Sequence, residues 1–350
     1  MWRELRWARV RGGTIEEMSP TSIAAAVVPC PIALVRGSEV SHPERAVANG
    51  LLIRVRAGAF AEAARWHALA PWERYLVRVH AVAMIAPEAV FCLEAACALL
   101  GLPVFGDPVV VDVLATGPGT ARLRGGIRLH TATHDRVLVE RGGLLITSIT
   151  DTVVDIARAR HNAIGLAVAD AALRLDASLT SHALLAANAG RASSRGRAIA
   201  RWPLERATGV PESVLESICV AVIEWLGFEA PQLQLTFASG RYRDRLDFGW
   251  QTQRVGLEAD GDLKYDGRFG TASEVLHRQR DRDGRLRGHL RRIDHVGWSD
   301  VTTVGPLRST LRGLGLEVVA PENTAQLFSL RHALASLAPH ETATRGRDRG

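Results

Sequence analysis

Three acidic residues, Asp247, Glu258 and Asp260, stand in two short stretches that alternate apolar and other residues, LDFGW at 246–250 and VGLEAD at 255–260. Alternation with period two predicts β-strands, and the residues around 251–253 between them predict a tight turn. Leu246, Phe248 and Trp250 then share one face while Asp247 takes the other, and Val255, Leu257 and Ala259 alternate in the same way with Glu258 and Asp260. An even number of unpaired turn residues sets all three carboxylates on one side of the hairpin. Carboxylates gathered so closely repel and raise one another's pKa, and a hard divalent cation with oxygen ligands relieves that repulsion. Lys264 follows shortly after, the single lysine among 43 basic residues. An ammonium has thus been kept beside the acids in a chain that otherwise writes its positive charge as arginine.

The elements around the hairpin must position these groups. A helix is expected over 212–226, with Val214, Leu215, Ile218, Val222 and Trp225 as its apolar stripe, Gly227 closing it and Glu216 at the stripe's edge. A charged helix over 271–287 carries His277, Arg278, Arg280, Arg282 and Arg285. The order PESVLES at 211–217, PQLQ at 231–234, LDFGW at 246–250 and EADGDLKY at 258–265, then the charged helix, resembles the PD-(D/E)xK nuclease fold of restriction enzymes. More closely, it resembles a group of actinobacterial domains related to the very-short-patch repair endonuclease.

The resemblance implies a restriction-endonuclease-like α/β domain with a central mixed sheet over 211–303. It also implies Mg²⁺ or Mn²⁺ held by Asp247 and Glu258, with Asp260 or Glu216 as a further ligand, and DNA as the substrate of phosphodiester hydrolysis. Lys264 would orient the attacking water or the developing oxyanion, and Arg278 and Arg280 would meet backbone phosphates. The chain departs from the family pattern at Asp260, which stands where the motif has its lysine, so either Lys264 supplies the cation or catalysis is altered or absent. A closing strand over 290–294, continued by GWSD at 297–300, also resembles the family, with His295 where an arginine is expected.

The whole chain sets wider bounds. Its 350 residues, 47% hydrophobic and 23% charged, describe a folded globular protein of about two or three domains. A formal charge of +6 and a pI near 9.7 suit a polyanionic partner, though a GC-rich genome would produce the same arginine bias. Cys30, Cys92, Cys97 and Cys219 are too scattered for a disulfide framework or a zinc site, which points to a cytoplasmic protein. The most apolar run, 80–105, is interrupted by Pro87, Glu88 and Glu94, so no membrane segment is expected. The first residues lack the apolar core of a signal peptide, and the patterned sequence begins near Met18, the expected start.

Short helices over 23–28 and 42–49 followed by a strand over 51–60 outline a winged-helix-like domain at 18–65, with Arg45, Arg54 and Arg56 as its DNA contacts. The motif GLLIRVRAGAF at 50–60, with those helices, resembles the N-terminal domain of AbiEi-type antitoxins, which adds a cognate toxin or self-association to the expected partners. A mixed α/β region at 66–188 resembles the second part of the same proteins. It holds expected helices over 72–85, 94–100 and 152–160 and expected strands over 109–115 and 127–131. His130 and His134 sit in a Thr-rich, strand-like stretch and are not assigned to a metal. An Arg-, Gly- and Ser-rich linker is expected at 189–210, and 304–350 is an extension ending in a basic tail. The expected fold class is therefore multi-domain α/β. Two functions remain open: a Mg²⁺-dependent DNA endonuclease, or a non-catalytic DNA-binding regulator or antitoxin-like protein with a degenerate nuclease domain.

Overall fold

The computed structural model describes residues 26–115, 121–131, 136–240, 242–260, 282 and 284–335. The protein is mixed α/β and divides into two compact units, 1–148 with 334–350, and 149–333.

In the first unit, β1 (Val35–Arg36), β2 (Leu52–Arg56) and β3 (Ala59–Glu62) form an antiparallel sheet in the order β1-β3-β2. The strand expected over 51–60 is thus a hairpin, folded at Ala57-Gly58. The helix expected over 42–49 is α1 (Pro43–Ala48), whereas Ala26, Val27 and Val28, the described part of the other expected helix, are not helical. Helices α2 (Ala63–His67), α3 (Pro71–Ile85) and α4 (Leu93–Leu100) follow. A second sheet contains β4 (Val90–Phe91), β5 (Val111–Leu114), β6 (Arg122–Arg124), β7 (Ile127–His130), β8 (Leu138–Arg141) and β9 (Leu144–Thr147), in the order β6-β7-β5-β4-β9-β8. The apolar stripe of α3 is buried at Tyr75, Leu76, Val79 and Val82, the 3.6-residue period that made this helix legible.

The second unit opens with five helices: α5 (Ile149–Ala159), α6 (Asn162–Leu175), α7 (Ser181–Gly190), α8 (Arg197–Arg206) and α9 (Val214–Trp225). Helix α6 packs on α5, α8 and α9. Strands β10 (Gln232–Ser239), β11 (Tyr242–Trp250), β12 (Val255–Ala259) and β13 (Arg292–Val296) form a sheet in sequence order. The first two pairings are antiparallel and the last is parallel. A parallel neighbour requires a crossover rather than a hairpin, and it runs between Ala259 and Arg292. Helices α10 (Trp298–Thr303), α11 (Gly305–Gly313) and α12 (Thr324–Ala335) complete the unit's described residues.

Three expectations are corrected here. The stretch 189–210 contains α8 in place of a linker, because Ala200, Pro203 and Leu204 recur at helical spacing and are buried. Helix α5 begins at Ile149, ahead of the start expected at 152, so Asp151 lies inside its first turn, buried and 2.6 Å from Arg191. GWSD at 297–300 starts α10 instead of extending a strand; Asp300 caps it by accepting the Gly297 N–H at 2.8 Å.

Candidate active site

Helix α9 is set by its cap: Ser213 Oγ accepts the Glu216 N–H at 3.1 Å. Glu216 thereby enters the first turn, where its Oε2 accepts the Glu212 N–H at 2.8 Å and the Gln234 side-chain amide at 2.7 Å. Gly227 ends the helix with φ of +76°, a conformation costly for any residue with a Cβ. Gln234 lies on β10 with φ of +53°, strained for a non-glycine residue. The β10–β11 register runs Leu233↔Phe248 and Leu235↔Leu246, with Gln234 and Asp247 between these pairs. The same Gln234 amide nitrogen is 3.4 Å from Asp247 Oδ1, so one side chain links Glu216 to Asp247.

Strands β11 and β12 pair at Phe248↔Leu257, Gly249↔Gly256 and Trp250↔Val255, which leaves the four residues 251–254 unpaired, the even number on which a shared face depends. Beyond Phe248 the ladder changes character: Asp247 Oδ2 accepts the Ala259 N–H at 2.9 Å. A carboxylate here stands where a strand carbonyl would. The expected alternation slips at this point. A Cβ on Gly256 would lie 2.5 Å from Leu246 Cδ2, and one on Gly249 3.5 Å from it, so Leu246 covers the face of the paired glycines. Leu246 packs there with Leu286 and Leu290 and does not share a face with Phe248 and Trp250. An irregularity of this kind re-aims a single side chain, and the one beside it is Asp247.

Glu258 is 2% exposed and ion-paired with Arg282. Burial, and secondly the charge of Asp247, push its carboxyl up to about 7 against the opposing pull of Arg282. Burial also raises Glu216, and Asp247 adds to that rise. The charge of Asp247 thus acts on both Glu258 and Glu216. Asp260 is engaged elsewhere: its Oδ2 lies 2.7 Å from His295 Nδ1. Among the described residues, no three His, Cys, Asp or Glu side chains come together as a metal-binding group. The expected trio resolves into a coupled pair, Asp247 and Glu258, and a third acid held by histidine. Lys264, Arg278 and Arg280 lie outside the described residues, as does most of the helix expected over 271–287.

The pair fits a hard divalent cation. Glu258 Oε1 is buried at ion-pair range of Arg282 yet accepts no aligned hydrogen bond. Arg282 balances this carboxylate in the structure, so a divalent cation held by it and Asp247 would take over a charge role that the guanidinium now fills. Asp247 opens onto a cleft of about 440 Å³ that is also lined by Thr236, Arg243, Asp244, Arg245 and Arg282. Arg245 pairs with Glu212. Arg285 grips Asp244 through two 2.6 Å bonds and stacks 4.4 Å from the Tyr242 ring, which holds the Asp244 carboxyl below its ordinary range. Arg243 has no carboxylate partner among the described residues.

No protein-family model matches this chain, and no curated protein matches it. Among the described residues, no helix is long and apolar enough to cross a membrane.

Several of these residues were not singled out from the sequence: Gln234 as a bridge, Asp244 as an anchor, and Arg243 and Arg245 as cleft lining. The spacing of Arg243, Arg245 and Asp247 at every second position of one strand would have revealed the last two. The three arginines expected to touch DNA in the first unit divide. Arg45 is exposed on α1, and Arg54 pairs with Glu44 and lies 5.7 Å from the Phe60 ring centroid. Arg56 is only 9% exposed and donates to the carbonyls of Gly125 at 2.8 Å and Gly126 at 3.1 Å, so it clasps the turn between β6 and β7. Burial, and secondly Arg78, lower its pKa to about 10. A phosphate contact does not fit a guanidinium whose fork is spent on main-chain carbonyls. His130 sits 2.7 Å from Asp112, and His134 lies outside the described residues.

Proposed function

We propose that the second unit contains a PD-(D/E)xK-like nuclease domain acting on DNA, with Asp247 and Glu258 as the ligands of Mg²⁺ or Mn²⁺. The succession of α9, three antiparallel strands and a parallel β13 supports the fold, and the electrostatic coupling of Asp247 to Glu258 at the edge of an arginine-lined cleft carries the chemistry. A bound cation would supply a water of lowered pKa and stabilise charge on the scissile phosphate. The chain's own residues do the rest. Arg243 and Arg245 offer guanidinium groups to phosphate oxygens. Gln234 fixes the orientation of Asp247 and ties it to Glu216, and the burial of Glu258 keeps bulk water from that carboxylate.

A second reading, a DNA-binding regulator with a degenerate nuclease domain, draws on Asp260, which replaces the motif's lysine and is occupied by His295. Purified full-length protein incubated with plasmid and Mg²⁺ or Mn²⁺ separates the two. The nuclease reading expects nicking that falls by roughly 100-fold or more in Asp247→Asn and in Glu258→Gln, the scale on which removing one charge-stabilising group acts. Cutting that survives both substitutions overturns the site. A wild-type protein that binds duplex tightly and never cuts it establishes the regulator instead.

A further inference from the structure

Arg282 does two things at once: it lines the cleft beside Arg243 and Arg245, and it pairs with Glu258. We propose that Arg282 is an arm shared between Glu258 and the DNA. It closes on Glu258 in the unliganded protein and moves to a backbone phosphate in the complex, so that Glu258 becomes open to a divalent cation only when DNA occupies the cleft. The inference rests on the nuclease reading and adds an order of binding to it.

The two partners differ in exposure: the Arg282 side chain is 31% exposed and that of Glu258 only 3%, so a phosphate entering the cleft meets the guanidinium and not the carboxylate. A phosphodiester offers the guanidinium a two-pronged partner, and Arg243 and Arg245 draw such a group to the same cleft. Loss of the arm leaves Glu258 buried beside Asp247 with its nearest positive charge removed, a state that is unfavourable until another cation replaces it. Without DNA the arginine fills that role, so the metal has to displace it. With DNA the role is vacant. By linkage, DNA and metal each strengthen the other's binding to the same degree.

Titration calorimetry of Mn²⁺ into the full chain tests this, with and without a short phosphorothioate duplex that resists hydrolysis. The wild type is expected to bind Mn²⁺ about tenfold more tightly with duplex present, equivalent to about 1.4 kcal/mol of coupling. Arg282→Gln is expected to show the tighter affinity already without DNA and to gain little from adding it. A wild-type affinity for Mn²⁺ that the duplex leaves unchanged overturns the arm while the nuclease reading stands. An Arg282→Gln protein with wild-type coupling overturns it equally. If neither protein binds Mn²⁺ under any condition, the nuclease reading fails and the arm fails with it. Should Arg282→Gln not fold, the wild-type comparison decides alone.

Discussion

At Glu258 a carboxylate lies inside the protein beside another, and stability should record it. Its folded pKa, about 7, is above the ordinary value of 4.5, so the folded state holds this proton more tightly than the unfolded state does. Stability from the group is therefore full below 4.5 and is lost as pH rises through about 7, where a buried charge must form. Glu258→Gln removes that charge, so without added metal it should stabilise the protein by roughly 1–3 kcal/mol near pH 8 and by almost nothing near pH 4. Denaturant melts of both proteins at the two pH values check this, and a benefit that grows toward acid contradicts the assignment. Asp247 and Glu258 were legible as residues because alternation marks where acids project from a sheet. Arg56 was not. Its place in a basic strand resembles a phosphate contact, but its burial depends on the Gly125-Gly126 turn, far away in the chain, which no local pattern discloses.

At the scale of elements, the hairpin works because its regularity fails at one place. Leu246 crosses over Gly249 and Gly256, the ladder parts beyond Phe248, and Asp247 turns to the Ala259 N–H. Gly256 is required for this: an added Cβ would be 2.5 Å from Leu246 Cδ2 and 2.9 Å from its Cδ1. Gly256→Ala should destabilise the protein by ~1–3 kcal/mol, the usual cost of overpacking a filled interior. Thermal melts read the stability, and an unchanged melting temperature would show that Leu246 does not occupy this face. Helices α3, α4 and α9 were legible from apolar residues at helical spacing and from Gly227 past the end of α9. Helix α8 was hidden by its composition: Ile199 is exposed beside Ala198, Arg201 and Glu205, and only Ala200, Pro203 and Leu204 report the buried face. The slip at Asp247 was hidden too, because strict alternation in the sequence gives no sign of a local irregularity set by side-chain hydrogen bonding.

For the whole molecule, the division at Ser148 places the candidate site entirely within the second unit, together with the helices α5 to α8 that the sequence assigned partly to an antitoxin-like region and partly to a linker. The surplus of arginine in the composition gave the expectation of a polyanionic partner, and under the proposed function Arg243, Arg245 and Arg282 are the cations that such a partner would meet in the cleft. A cation between Asp247 and Glu258, with DNA in the cleft, is the claim on which the account turns. Co-crystals of the full chain with a phosphorothioate duplex and Mn²⁺, measured for anomalous scattering, test it most directly. The account predicts a manganese peak in contact with both carboxylates and Arg282 turned to a phosphate. Manganese bound only elsewhere, with Glu258 still closed on Arg282 and Asp247 still confined to Ala259 and Gln234, would contradict it.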